Sequence, residues 1–194
     1  IIPNFVGNLH NLRTLDVRDS LVRELPFEFS KLHNLRHLLG GSYNSCPENM
    51  FEGIKIQKGI GGLKELQDLY YVESNHDDIN LVKELENLTQ LRRLGITNLK
   101  KESGRALSAS IERMENLKIL RVTSTGEDEI LDLQSVSPPP LPLQELTLIG
   151  RLEKLPQWVP KLQNLTRLEL GWCGLEDDPM KALQRLPDLI SLGF

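Results

Sequence analysis

Hydrophobic residues along this chain recur in a nine-residue figure, apolar at positions one, four, seven and nine, with mostly polar residues between. It reads Leu9, Leu12, Leu15, Val17, and returns as Leu32, Leu35, Leu38, Gly40, then Leu63, Leu66, Leu69, Tyr71, then Leu88, Leu91, Leu94, Ile96. The second half continues it as Met114, Leu117, Leu120, Val122, then Pro140, Leu143, Leu146, Leu148, then Leu162, Leu165, Leu168, Leu170, and finally Leu186, Leu189, Leu192, Phe194. First positions are 23, 31, 25, 26, 26, 22 and 24 residues apart, a period that belongs to a stacked array of small units. The last two apolar positions lie two residues apart, which puts their side chains on one face of a short strand. The first two enter from the turn before it. Eight such strands in parallel, spaced by about 4.8 Å, make a concave sheet about 34 Å long over one continuous core.

Period and wording together predict an α/β leucine-rich-repeat solenoid, a horseshoe covering 1–194 whose parallel concave sheet has about eight strands. The convex returns are mixed. Ser103 ahead of Leu107, Ile111 and Met114 predicts a capped amphipathic helix, as does Asp78 ahead of Ile79, Val82 and Leu85, and Asp178-Pro179 supplies an N-cap and first-turn proline ahead of Leu183. Leu25-Pro26 and Leu155-Pro156 instead predict extended returns. Three residues past the figure, where such repeats favour Asn or Cys, stand Ser20, Tyr43, Ser74, Leu99, Thr125, Arg151 and Cys173, so an irregular solenoid is expected. The long second spacing leaves Gly40 to Lys58 without periodicity, predicting a mobile loop that carries Cys46. The chain starts in the outer half of one repeat and stops inside a strand, so we expect a segment of a longer protein that associates through its ends.

Composition agrees with repetition, since leucine supplies about one residue in five while aromatics supply 5%. Lys plus Arg number 23 against 27 for Asp plus Glu, a net charge of −4, divided as 11 against 13 in residues 1–97 and 12 against 14 in 98–194. That even balance argues against a nucleic-acid partner. No apolar run is long enough to span a bilayer, and two cysteines fit a reducing compartment rather than a disulfide scaffold.

Concave strand positions point away from the leucines and are free to meet a partner. They include Thr14, Asp16, Arg18, His37, Leu39, Asp68, Tyr70, Val72, Arg93, Thr97, Ile119, Arg121, Thr123, Glu145, Thr147, Ile149, Arg167, Glu169 and Trp172. Tyr70, Arg93, Ile119, Arg121, Ile149, Arg167, Glu169 and Trp172 form the candidate recognition set, because exposed aromatic, aliphatic and arginine side chains concentrate binding energy. Asp77 and Asp78, then Glu127, Asp128 and Glu129, then Glu176, Asp177 and Asp178 fall just past the third, fifth and seventh strands and predict an acidic ridge facing a basic partner surface. The competing reading of both sets is a solvated polar face, with Asp78 and Asp178 as caps.

Catalysis has little support. His10, His33, His37 and His76 do not gather around a nucleophile, and no Cys/His spacing suits zinc. Lys58-Gly59-Ile60-Gly61-Gly62 lacks a following Lys-Ser/Thr and leads into a repeat turn, so it is not a phosphate loop. No enzyme activity, metal or cofactor is expected within the segment.

Longer stretches resemble the repeat domain of plant intracellular coiled-coil nucleotide-binding leucine-rich-repeat disease resistance proteins. They are Lys58 to Gln67, Leu88 to Ile96, Ala106 to Leu120, and the run from Ser137-Pro138-Pro139 through Gly150-Arg151-Leu152, Leu155-Pro156-Gln157-Trp158 and Asp178-Pro179 to Leu186-Pro187-Asp188-Leu189. The resemblance implies a parent with a coiled-coil domain and an ADP/ATP-binding switch domain outside this segment. It also implies a cytoplasmic location, with plasma-membrane or nuclear association through the parent. The partners it implies are a pathogen effector or a guarded host protein, and the parent's own nucleotide-binding and coiled-coil domains. Two other readings remain open at this point: a cell-surface receptor ectodomain, for which Asn87-Leu88-Thr89 and Asn164-Leu165-Thr166 are formal glycosylation sequons, and a repeat scaffold or substrate adaptor.

Overall fold

The computed structural model describes residues 1–43, 51–74 and 79–194. Among them lie strands β1 (Thr14–Asp16), β2 (Glu24–Leu25), β3 (His37–Leu39), β4 (Ser42–Tyr43), β5 (Phe51–Glu52), β6 (Lys55–Ile56) and β7 (Asp68–Glu73). They are followed by β8 (Arg93–Leu99), β9 (Ile119–Ser124), β10 (Glu145–Ile149), β11 (Arg167–Gly171) and β12 (Ser191–Gly193), with helices α1 (Ile79–Glu84), α2 (Lys101–Glu112) and α3 (Met180–Leu183) on the convex side. Eight strands form one sheet in the order β1-β3-β7-β8-β9-β10-β11-β12. All its pairs are parallel, and the third apolar position of every repeat lies in one row: Leu15, Leu38, Leu69, Leu94, Leu120, Leu146, Leu168 and Leu192. Six of these eight, Leu38 to Leu168, are fully buried. Removing any one of those six side chains to Ala forfeits about 2–5 kcal/mol.

The returns follow the local sequence. Leu107, Ile111 and Met114 turn one face of α2 into the core, as their spacing predicts. Ser103 does not cap α2, however. It sits inside the first turn, and the Lys101 amide instead donates to the Glu129 carboxylate of the next repeat at 2.8 Å. Leu25-Pro26 does give an extended return: β2 pairs with β6 on the convex side, and a 3-10 turn at Phe27–Lys31 follows. The sixth return has only a 3-10 turn at Val159–Lys161, and Trp158 is buried just before it, its indole N–H bonded to the Leu133 carbonyl at 2.7 Å.

The 40–58 excursion departs from the expected mobile loop wherever it is described. β4 and β5 pair as an antiparallel hairpin, Ile54 bridges Val72, and β6 closes on β2. Gly40 leaves a core position empty, and Ile54 fills it: a Cβ at Gly40 would lie 2.5 Å from the Ile54 side chain. Cys46 lies outside the described residues, as do His76, Asp77 and Asp78.

Tyr71 also departs from its expected place in the core. A register shift in β7 between Leu69 and Val72 moves Val72 opposite Ile96, so Val72 takes the core position and Tyr71 becomes the extra residue of a bulge. Its φ of 55° is left-handed, as an extra bulged residue often requires.

Candidate recognition surface on the concave sheet

The strands expose two concave rows. One runs Thr14, His37, Asp68, Arg93, Ile119, Glu145, Arg167 and Ser191; in the other, Asp16, Leu39 and Tyr70 pair in register, as do Gly95, Arg121, Thr147, Glu169 and Gly193. Gly95 carries no side chain, and both tyrosine rings occupy the space above it: its missing Cβ would lie 3.5 Å from Tyr70 and from Tyr71 ring carbons. The two rings sit 4.3 Å apart, tilted by 58°. The Arg121 guanidinium lies over Tyr70 at 5.7 Å, and its NH1 donates to the Tyr71 hydroxyl at 3.1 Å. Burial first, then the Tyr70 hydroxyl, raises the Tyr71 pKa well above an ordinary phenol's, so it stays neutral. Burial opposes the Arg121 charge, but Tyr71, Tyr70 and Glu145 outweigh it and raise its pKa. The result is a Tyr-Tyr-Arg stack in which each side chain touches the other two.

Beside it, Asp68 is nearly buried and holds two neighbours. Its carboxylate accepts two hydrogen bonds from Arg93, Nε at 2.8 Å and NH2 at 2.6 Å, and meets His37 Nδ1 at 2.5 Å. Burial alone would raise the Asp68 pKa, yet Arg93 and then His37 pull it below the usual aspartate value.

Arg93, Arg167 and Glu169 are exposed, and Tyr70, Ile119, Arg121 and Trp172 are half-exposed. Ile149 is a correction: it is 1% exposed, packed beside Gly171, and offers nothing to a partner. Val72, Thr97, Thr123, Thr147 and Asp68 are likewise buried. The acidic ridge is only partly present. Glu127 and Asp128 are exposed, as are Glu176, Asp177 and Asp178, with Asp178 capping the Met180 amide at 2.9 Å. Glu129 is spent on α2 and Thr125. Arg151, bridged to Ile130, stands at the end of the intervening strand and interrupts the row.

Tyr71 escaped the sequence reading because its spacing fits the core; the adjacent Val72 was the signal of an alternative register. A basic row at the leading edge of the sheet also escaped it. Arg13, Arg36, Arg92 and Lys118 each stand one residue before a strand, with Gln67 interrupting the row before β7, and each one's carbonyl accepts two amides from the next repeat, at 2.8–3.1 Å. Arg92, Arg93 and Lys118 line a depression of ≈ 280 Å³ there.

The glycine turn at 58–62 does not fit a nucleotide phosphate. The Gly59 and Gly61 amides already donate to the Glu84 carboxylate, at 3.2 and 2.9 Å. The Asn164 sequon side chain donates to the Leu141 carbonyl of the previous repeat at 2.9 Å, a turn role it shares with Asn34 on His10. No helix among the described residues is long and apolar enough to cross a membrane.

Comparison with known proteins agrees with this geometry. The family profile described as "Leucine-rich repeat region" matches residues 1–194. Disease resistance protein Pik-2 of Oryza sativa subsp. japonica is 30% identical over 100% of this chain and 22% of its own length. Disease resistance protein RPM1 of Arabidopsis thaliana is 30% identical over 82% of the chain and 17% of its own. The chain thus spans about a fifth of the curated relatives it matches. Among solved structures, the plant peptide hormone receptor RGFR1 in complex with RGF2 superposes with a TM-score of 0.58 at 18% identity, over 100% of this chain and 34% of that one. Internalin C2 of Listeria monocytogenes gives 0.51 at 18%, over 98% and 83%, and both likenesses concern the fold. The chain belongs to the leucine-rich-repeat family, and the relatives whose repeat region it matches are plant disease resistance proteins.

Proposed function

We propose that this domain is the ligand-sensing and autoinhibitory part of a plant innate immune receptor. It recognises a pathogen effector, directly or through a guarded host protein, and restrains the parent's nucleotide-binding switch, so that release triggers defence and hypersensitive cell death. The observation that carries the reading is the Tyr70-Tyr71-Arg121 stack on the concave sheet, in a chain matched end to end by a disease resistance protein. Aromatic and arginine side chains gathered in this way are the usual centre of a protein interface. The restraint is assigned to the sheet's edges, where the acids at 127–128 and 176–178 and the basic row at Arg13, Arg36, Arg92 and Lys118 offer surfaces of opposite sign to the parent's other domains. ADP and ATP belong to the switch domain in this reading.

The test uses the full-length receptor expressed in leaves with its matching pathogen strain. Tyr70→Ala with Arg121→Ala should abolish strain-dependent cell death at unchanged protein level. Charge reversal at Glu127 and Asp128 should produce cell death without the pathogen, or a salt-dependent change in interdomain association. Wild-type responses from both variants would sink the reading.

A further inference from the structure

The cations of the concave side fall into two groups. Arg18, Arg93 and Arg121 each meet an acid of the same surface, Asp16 at 2.7 Å, Asp68 at 2.6 Å and Glu145 at 3.5 Å. The leading-edge cations Arg13, Arg36, Arg92 and Lys118 do not: among the described residues no carboxylate lies within 4.0 Å of them, Glu65 and Glu115 in the turns before β7 and β9 included. The same rim position reads Arg13, Arg36, Gln67, Arg92 and Lys118 in the first five repeats, then Gln144, Thr166 and Ile190. The charge is thus confined to one part of the array. Each carbonyl's pair of bonds to the next repeat holds successive positions one strand apart, which brings Arg13 beside Arg36 and Arg92 beside Lys118. Like charges on neighbouring strands repel, so the fold itself gains nothing from the row. At its Arg92 and Lys118 end the row borders the ≈ 280 Å³ depression. Asp68 is the one acid lining it, and its carboxylate is already taken by Arg93 and His37. Arg92, Lys118 and the side-chain amides of Gln67 and Gln144 are left there to meet an oxyanion.

We propose that the leading rim of the first five repeats docks an extended acidic segment of a partner protein, with acids at both ends and an uncharged centre. From Arg13 to Lys118 the rim crosses the intervals between β1, β3, β7, β8 and β9, about 19 Å at about 4.8 Å each, which about six extended residues cover at about 3.4 Å per residue. Acids at one end meet Arg13 and Arg36, those at the other meet Arg92 and Lys118 and enter the depression, and the uncharged middle lies on Gln67. Single cations a strand apart, with no aromatic side chain among them, suit carboxylates along a peptide better than stacked nucleic-acid bases. The proposal rests on the reading of the sheet's edges as surfaces for other protein domains, and adds the length, charge pattern and place of what docks.

Fluorescence anisotropy of rhodamine-labelled peptides titrated with the 194-residue chain tests it. The split peptide carries two glutamates, two serines and two glutamates; the block peptide has the same residues with the four glutamates together between the serines. The split peptide should bind at least about threefold more tightly than the block and at least about tenfold more tightly than its lysine counterpart. Its affinity should fall as salt rises from about 20 to about 300 mM. Arg92→Glu with Lys118→Glu should weaken it at least about tenfold with the circular dichroism unchanged, because the main-chain carbonyls, not these exposed side chains, make the ladder. Lys154→Glu with Lys161→Glu, exposed on the returns, alters the net charge equally and should leave binding as it was. Equal affinity for split and block peptides, equal weakening by the two double variants, no binding at about 1 mM chain, or tighter binding of a six-nucleotide DNA would each overturn the proposal. If the split peptide fails while charge reversal at Glu127 and Asp128 still produces cell death without the pathogen, the rim site is lost and the restraint reading stands. If the peptide binds as expected and that reversal leaves the receptor unchanged, the rim keeps its ligand and the restraint reading falls.

Discussion

The two long edges of the sheet are built on different principles. At the leading edge, each repeat repeats the last: one carbonyl accepts two amides of the next repeat, seven times in succession from Arg13 to Ser191, and Asn34 and Asn164 reach back to the preceding turn. At the trailing edge the repeats diverge more, although Asp19, Asn98 and Trp172 stand at one and the same repeat position. Asp19, Tyr71, Asn98 and Trp172 take left-handed backbone, the pairing slips in β7 and β8, and the 40–58 excursion leaves and returns there. Local regularity is cheap where only backbone groups must be satisfied, whereas unusual backbone persists where side chains are being aimed. The lesson is that the leading edge holds the array together and the trailing half of the concave face individualises it.

Substitutions should separate the two edges, and the largest effect is expected at the trailing one. Ile54→Ala empties the core position that Gly40 leaves open and should cost about 3 kcal/mol in urea unfolding; a loss below about 1 kcal/mol would mean that the excursion is ornamental. Gly53→Ala should follow at about 2 kcal/mol, because a Cβ there collides with Thr97 Oγ1 and lies 2.7 Å from the Glu73 amide nitrogen. Asp68→Asn, at the leading edge, should cost about 2 kcal/mol at neutral pH by weakening charged hydrogen bonds to Arg93 and His37. Its pH dependence carries a sign. The folded pKa of Asp68 is depressed, so its contribution is present above the unfolded value near 3.9 and fades as pH falls through the folded one. The wild type should therefore lose more stability than Asp68→Asn on acidification below about pH 4. The smallest effect, about 0.5–1 kcal/mol, is expected for Asn34→Ala, a single exposed side-chain bond in a ladder of backbone ones.

The sequence pattern reveals the leading edge almost completely, since third-position leucines from Leu15 to Leu192 fall in one row. Periodicity reports what faces the core, so it places Tyr70, Arg93 and Arg121 on the concave surface. It misplaces Tyr71 because a bulge adds one residue without changing the spacing of apolar letters: Val72 and Tyr71 are both acceptable there, and only cross-strand pairing decides. It lists Ile149 as exposed because alternation says which way a side chain points and not what covers it. It assigns the α2 cap to Ser103 because the true acceptor, Glu129, is 28 residues away and enters from the following repeat.

The exchange between Gly40 and Ile54 makes the second repeat heritable only as a pair. A leucine restored at 40 alone would collide with Ile54, and a small residue at 54 alone would leave a void. Relatives that regain the regular leucine should therefore have lost the bulky residue fourteen positions on, or the whole excursion with it. Residues 40 and 54 should vary together across the family.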